Sequence, residues 1–288
     1  MFQLKICQCS RDEADALSDV LEDMGALSVT LTDRYDSPIL EPELGTTPLW
    51  ADVVIQALYD DEREAQLVLS HIALTYPRLE ATLDPVASQD WERVCLADFK
   101  PQQFGQRLWV CPSWLTPPPE LNAIHVTLDP GLAFGTGTHP TTALCLTWLE
   151  QSSLAGKRVI DYGCGSGILA IAALKLGASH VTAVDLDVQA LIATRSNAVV
   201  NQIAACYLTV SFPDVSLEPA DILIANILLT PLMQLQQRFR HLLHTGGLLV
   251  VSGILNEQVV SLVKSYQNDF SHVVSVSQEG WSLVVFKR

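Results

Sequence analysis

Apolar and polar residues alternate along this 288-residue chain at two periods, and the changes of period mark its elements. From Phe2 to Cys9 the period is two, as in a half-buried strand. From Arg11 to Met24 it becomes helical, with Ala14, Leu17, Val20, Leu21 and Met24 on one face and Gly25 as the stop. Leu27 to Leu31 reads as a strand, Ser37 to Pro48 as a loop, Val53 to Tyr59 as a strand and Asp61 to Leu74 as a second helix. Leu79 to Val86 supplies a fourth strand. The order βαββαβ predicts a small ferredoxin-like α+β domain over residues 1–86. It carries no catalytic cluster, which points to recognition. Cys7 and Cys9, two apart on one strand, are expected to share a face.

Residues 87–120 read as a linker, with a short helix over Asp90–Phe99, a strand over Arg107–Trp114 and a stiff break at Pro117-Pro118-Pro119. Trp91, Trp109 and Trp114 are expected to staple it to its neighbours. In residues 121–288 strands and helices alternate. Ile124–Leu128 is extended and Thr141–Leu149 helical. Val188–Val200 is a helix, Tyr207–Val210 and Ile222–Ala225 are strands, and Leu232–Leu243 is a helix ended by Gly246-Gly247. A strand at Leu248–Val251, a helix at Glu257–Tyr266 and a hairpin of His272–Val276 with Trp281–Phe286 complete the pattern. This predicts a doubly wound, Rossmann-like α/β sheet with an antiparallel edge hairpin.

The stretch from Val159 to Asp187 carries the first chemistry. It reads as strand, glycine turn, helix (Ile168–Leu176, closed by Gly177) and strand (Val181–Val184). Gly163, Gly165 and Gly167 let the backbone turn tightly. Asp185 ends the second strand 22 residues after Gly163, the spacing at which a carboxylate meets a ribose in a nucleotide-binding βαβ unit. Ile168 stands where a dinucleotide fingerprint needs its third glycine, so that class fails. Asp161-x-Gly163-x-Gly165-x-Gly167 is instead the acid-led glycine form of S-adenosylmethionine enzymes, whose ligand carries no phosphate. A helix N-cap is the competing role for Asp185, and Asp187 suits it better.

Asn226 closes the apolar strand before Ile227-Leu-Leu-Thr-Pro231. A polar amide there is costly unless something pairs with it. N-methyltransferases use such an Asn to hold a nitrogen donor with its lone pair toward the methyl group; capping the next helix is the competing role. Leu229 replaces the usual aromatic three residues on, which weakens planar amide or base stacking. Ligands in doubly wound sheets sit at the carboxyl ends of the strands, where Gly163, Asp185 and Asn226 fall. His139, in the glycine-rich run from Leu128 to Thr142, has no second ligand at metal spacing and reads as structural; no metal is expected.

Composition narrows the classes. The chain is 49% hydrophobic and 17% charged, with a net charge of −15, which argues against a nucleic-acid surface. Residues 1–80 hold 16 Asp and Glu against 5 Lys and Arg, a net of −11, so −4 is left for the rest. That asymmetry reads either as a solvated acidic face or as steering of a basic macromolecule. The start lacks the basic and apolar regions of a signal peptide, and no run nears the ~18 apolar residues of a bilayer span. Seven scattered cysteines without a CxxC pair read as reduced thiols of the cytoplasm.

The run PGLAFGTGTHPTT, followed by VIDYGCGSGILAIAALKLGA and NILLTPL, resembles the bacterial ribosomal protein L11 methyltransferase family. The resemblance extends over essentially the whole chain, through LSDVLEDMGALSVTLTD, ILEP, DWER and FGQRLWVCPSW. It implies a cytoplasmic, two-domain N-methyltransferase that uses S-adenosylmethionine, leaves S-adenosylhomocysteine, and needs no metal. It further implies trimethylation of lysine ε-amines and of the N-terminal α-amine of a basic ribosomal protein. That partner is implied to be free rather than assembled, the enzyme monomeric, with neither nucleic acid nor membrane bound. The family's cofactor positions fall here on Thr142, Gly163, Asp185 and Asn226, with Asp161, Gly165 and Gly167 from the turn. Phe134, Gly135 and Thr136 are carried over as substrate-loop candidates. The chain departs from the pattern at Cys95, where tryptophan is expected, and at Leu229-Thr230, where small residues are usual. Methylation of a glutamine amide or a ribosomal RNA base stands as the alternative.

Overall fold

The computed structural model describes residues 1–35, 37, 39, 46–87, 99–117, 119, 122–129 and 139–288. The chain divides into two compact units, Met1–Val94 and Cys95–Arg288. Among the described residues no helix is long and apolar enough to cross a membrane.

In the first unit β1 (Phe2–Ser10), α1 (Arg11–Asp23), β2 (Ser28–Asp33), β3 (Asp52–Tyr59), α2 (Glu62–Thr75) and β4 (Glu80–Pro85) follow one another. The sheet order is β2-β3-β1-β4, all antiparallel, the ferredoxin-like arrangement the pattern predicts. Local chemistry sets the helix starts. Glu13 reaches back to the Ser10 amide at 3.1 Å, and Asp61 accepts the Arg63 and Glu64 amides at 2.8 and 3.2 Å. Ala14, Leu17 and Leu21 of α1 and Ala65, Val68 and Ile72 of α2 bury one face of each helix against Leu4, Ile6, Ile55 and Tyr59. One expectation fails. Gln8 takes φ 66° and the β1–β3 register shifts between Ile6 and Cys9, so the inserted residue inverts the alternation. Cys9 joins Leu4 and Ile6 in the core while Cys7 is half-buried, and the two thiols do not share a face.

The second unit opens with a three-stranded sheet of β5 (Gln102–Phe104), β6 (Leu108–Cys111) and β7 (Ile124–Thr127). The next helix, α3 (Pro140–Gln151), ties to it through buried Glu150, which accepts the Gln106 amide at 3.3 Å and pairs with Arg107 at 3.0 Å. Then come β8 (Arg158–Tyr162), α4 (Ile168–Lys175), β9 (His180–Val184), α5 (Val188–Val200), β10 (Leu208–Ser211) and β11 (Ala220–Asn226). They are followed by α6 (Leu229–His241), β12 (Leu243–Leu255), α7 (Val259–Tyr266), β13 (Ser271–Gln278) and β14 (Trp281–Lys287). The seven-stranded sheet runs β10-β9-β8-β11-β12-β14-β13, parallel through β12 and antiparallel at the β14 and β13 edge. Strand order reverses between β8 and β11, so their carboxyl ends frame the crevice. Helices cover both faces: α4 is buried from Ile168 to Ala173, and Leu232, Phe239, Leu262 and Tyr266 seal the other side.

Among the element boundaries that differ from the sequence reading are those of α6 and β12. Helix α6 begins at Leu229 rather than Leu232, because Pro231 sits in its first turn, where a missing amide costs nothing. Gly246 and Gly247 lie inside β12 instead of ending α6. They shape a distorted strand start, where Gly246 has φ 84° and donates to the Arg288 carbonyl at 2.8 Å.

Candidate functional site

The glycine turn after β8 is held from below by β9. The amides of Gly163 and Cys164 both donate to the Val184 carbonyl, at 2.7 and 3.0 Å. Gly163, Gly165 and Gly167 have φ of 83°, 52° and 78°, in the region that side-chain-bearing residues avoid. Space is as restrictive as conformation. A Cβ on Gly163 would collide with the Ile227 side chain, and one on Gly167 would lie 2.8 Å from Thr194. Thr194, fully buried on α5, also donates to the Gly165 carbonyl at 3.0 Å, and Asn197 donates to the Ser166 carbonyl at 2.8 Å. The turn is thus clamped by the helix that follows the second strand.

Two carboxylates flank it. Asp185, at the carboxyl end of β9, accepts the Gly165 amide on Oδ2 at 2.9 Å and the Asp187 amide on Oδ1 at 3.0 Å. Asp187, not Asp185, caps α5 by accepting the Gln189 amide at 2.9 Å, as the sequence suggests. Asp161 is fully buried. Its Oδ2 accepts the Ala170 amide at 3.0 Å, while Oδ1 has no partner among the described residues. Burial pushes its pKa up from the usual 3.8 to about 7, the Ala170 hydrogen bond opposes this and the Asp185 charge adds to it. A half-paired buried carboxylate is costly and marks the place of an absent partner, a cation or a hydrogen-bond donor.

Asn226 ends β11 and is half-buried. The N-cap of α6 is Leu228, so helix capping is not its role. Its Nδ2 donates to Oγ1 of Thr142 at 3.3 Å. Thr142 is buried in the first turn of α3, whose N-cap His139 accepts the Thr141 amide at 3.3 Å and packs edge-on against Trp281 at 4.8 Å. Burial lowers the His139 pKa, with Glu279 acting against it. His139 is a structural cap, as read from the sequence.

Thr142, Gly163, Gly165, Asp185 and Asn226 meet around a cavity of about 210 Å³, which Cys164, Ile168, Leu169 and Ile227 complete. An apolar cavity of about 160 Å³ adjoins it, sharing Gly163, Asp185 and Ile227 and lined further by Leu186, Pro213 and Leu235. The shared carboxylate stands where the two cavities meet, and the polar side chains Thr142 and Asn226 line only the larger one. That arrangement suits a ligand with a ribose in the middle, a base on one side and an amino-acid moiety on the other. The fit to S-adenosylmethionine therefore rests on the Asp185 oxygens and the two adjoining cavities. Among the described residues no three His, Cys, Asp or Glu side chains gather as metal ligands do.

Of the site residues expected from sequence, Asp161 and Gly167 support the turn from behind without lining the cavity. Phe134, Gly135 and Thr136 lie outside the described residues, as does Cys95. Sequence reasoning missed Ile227, Leu186 and Pro213. None of the three carries a local signal, since each follows a different strand and the cavity forms only where those strand ends meet.

The chain is similar over its whole length to known proteins. The family described as "Ribosomal protein L11 methyltransferase (PrmA)" matches residues 1–288. A ribosomal protein L11 methyltransferase of Legionella pneumophila (strain Corby) is 55% identical over 285 residues, covering 99% of this chain and 98% of that protein. One of Pseudomonas paraeruginosa is 47% identical over 280 residues, covering 96% and 95%. Among solved structures, the ribosomal protein L11 methylase of Lactobacillus delbrueckii subsp. bulgaricus superposes with a TM-score of 0.59. It is 30% identical and covers 66% of this chain and 99% of its own.

Proposed function

The chain belongs to the ribosomal protein L11 methyltransferase family, and from that premise we propose that it methylates lysine ε-amines and the N-terminal α-amine of ribosomal protein L11 using S-adenosylmethionine. The observation that carries the nitrogen chemistry is the Asn226 amide at the cavity, with its Nδ2 engaged by Thr142. With that end committed, the amide oxygen serves as the acceptor for an amine N–H.

S-adenosylmethionine supplies a methyl group on a positively charged sulfur. The residues around it hold and orient. Asp185 would take the ribose hydroxyls on carboxylate oxygens already aligned by the Gly165 and Asp187 amides. Asp161 holds the turn from behind through the Ala170 amide. Ile227, Leu186 and Pro213, which line the smaller cavity, would cover the base. Asn226 fixes the acceptor nitrogen, and the entropy saved by that alignment is a large share of the rate.

The acceptor must be a neutral amine. A lysine near pKa 10.4 is neutral about once in a thousand molecules at pH 7.4, a cost of about 4 kcal/mol, whereas an α-amine near 8 pays far less. Desolvation in the cavity favours the neutral form. A carboxylate beside the nitrogen would do the opposite, so the acidic first unit acts on the body of the substrate, away from the reacting amine. The test is to incubate the full chain with methyl-labelled S-adenosylmethionine and, separately, free L11, intact large subunits and ribosomal RNA. Label at lysines and the N-terminus of free L11 is expected, by intact mass and peptide mapping. Label in RNA or at glutamine, or none at all, overturns the reading.

A further inference from the structure

We infer that Gly253, which lines neither cavity and has no place in the sequence pattern of the site, is a positioning residue for Asn226, acting through the backbone of Ile227. The inference rests on the methyltransferase reading above and names a further determinant of that same site.

Gly253 lies in β12 next to Ser252, the residue that pairs with Asn226 across the parallel β11–β12 ladder. The ladder from β12 to β14 shifts register between Val251 and Ile254, and at this bulge Gly253 takes φ 85°. The bulge drives the strand into the segment after Asn226. A Cβ on Gly253 would stand 2.5, 2.8 and 2.9 Å from the carbonyl oxygen, carbonyl carbon and amide nitrogen of Ile227. All three are main-chain atoms, which cannot swing aside as a side chain can. From the other direction the Ile227 side chain fills the space where a Cβ of Gly163 would be. Ile227 is therefore pinned between two glycines, its backbone on the bulge and its side chain on the glycine turn. It lines both cavities and is bonded to Asn226. The height of the β12 bulge thus sets where the Asn226 amide stands relative to the glycine turn.

A control residue separates this contact from backbone strain. Gly246, on the same strand, has nearly the same φ of 84°, and a Cβ there meets nothing within 4 Å. Gly246→Ala and Gly253→Ala impose the same left-handed strain, but only the second pushes on Ile227. In the full-length chain, Gly253→Ala is expected to lower kcat for methyl transfer to L11 by about tenfold or more, since displacements near 1 Å reach 100-fold. The affinity for S-adenosylhomocysteine changes far less. Gly246→Ala keeps kcat within about twofold, and rates are compared per folded molecule by near-ultraviolet circular dichroism. Adding Ile227→Ala to Gly253→Ala does not restore kcat, because the clash is with main chain. Equal kcat in the two alanine variants, or rescue by Ile227→Ala, overturns the inference.

A second measurement needs no variant and no turnover. On titrating a ¹⁵N-glycine-labelled chain with S-adenosylhomocysteine, the Gly253 amide is expected to shift together with Gly163 and Gly165, while Gly246 stays. A static Gly253 resonance overturns the proposal even if Gly253→Ala does not fold. A wild-type chain that binds the ligand but leaves L11 unmodified would instead overturn the substrate reading and leave the amide test standing.

Discussion

Nδ2 of Asn226 donates to Oγ1 of Thr142 at 3.3 Å, joining the end of β11 to the first turn of α3 across the cavity. This bond decides which end of the Asn226 amide is available to an incoming amine. Thr142→Val keeps the shape and removes the acceptor; Thr142→Ser keeps the hydroxyl. The lost bond is worth about 0.5–1.5 kcal/mol, so Thr142→Val is expected to lower kcat/KM for L11 by about 3- to 10-fold, and Thr142→Ser by less than about threefold. Asn226→Ala removes the acceptor itself and is expected to cost about 100-fold or more in kcat. Steady-state kinetics with both substrates varied checks each. Equal kinetics for the valine and serine variants would sink the orienting role.

Asp161 makes stability depend on pH. Its carboxyl ionises near 3.8 in the unfolded chain and, through burial first, near about 7 in the fold. Between those values the folded state holds a proton that the unfolded state has lost. The contribution to stability is therefore whole below about pH 4 and falls away as pH rises toward about 7. Asp161→Asn abolishes the titration, so the slope of unfolding free energy against pH in that window should flatten in urea titrations. An unchanged slope in Asp161→Asn would contradict this assignment.

Asp185 combines structural and ligand-binding duties on one carboxylate. Its bonds to the Gly165 and Asp187 amides brace the turn before any ligand arrives. Asp185→Asn keeps an oxygen for only one of those two amides, turns an NH2 toward the other, and loses the charge that strengthens a hydrogen bond to a ribose hydroxyl. Charged hydrogen bonds contribute about 1.5–3 kcal/mol, so the dissociation constant for S-adenosylhomocysteine is expected to rise about 10- to 100-fold. The loss should appear in affinity and KM for the cofactor rather than in kcat at saturation. An unchanged affinity by calorimetry would remove Asp185 from the ribose site.

What the sequence made legible was local. Helix starts at Arg11 and Val188, the glycine turn after Asp161 and the strand-end positions of Asp185 and Asn226 each carry their signal within a few neighbouring residues. The misreadings have a common cause, a residue whose meaning depends on a distant partner. Gln8 looks like one more step of a strand until the register with β3 inserts it as a bulge. Gly246-Gly247 has the composition of a helix end, but its partner is Arg288 at the far terminus. Gly253 approaches Ile227 and Ile227 approaches Gly163 through the sheet, along no continuous stretch of chain. The two-chamber site likewise emerges only when Leu186, Pro213 and Ile227 are brought together by three different strand ends.

The charge of the first unit yields the last prediction. On α1, Asp12, Asp15, Asp19 and Glu22 stand exposed at spacings of three and four, opposite the buried Ala14, Leu17 and Leu21, and the last turn holds no basic residue. Glu22 and Asp23 oppose the helix macrodipole at that end, a local cost that a cation would relieve. Glu22→Lys with Asp23→Lys should therefore leave the unit as stable as before or slightly more so, which separates binding from unfolding. If this face steers a basic substrate, association with free L11 should slow several-fold at low salt, and the slope of rate against ionic strength should flatten. The effect should vanish once the screening length falls to about 3 Å near 1 M salt. At saturating L11, kcat should not move, because these carboxylates do not touch the reacting nitrogen. Stopped-flow association at several salt concentrations tests it, and an unaltered salt dependence would reduce the acidic face to a solubilising surface.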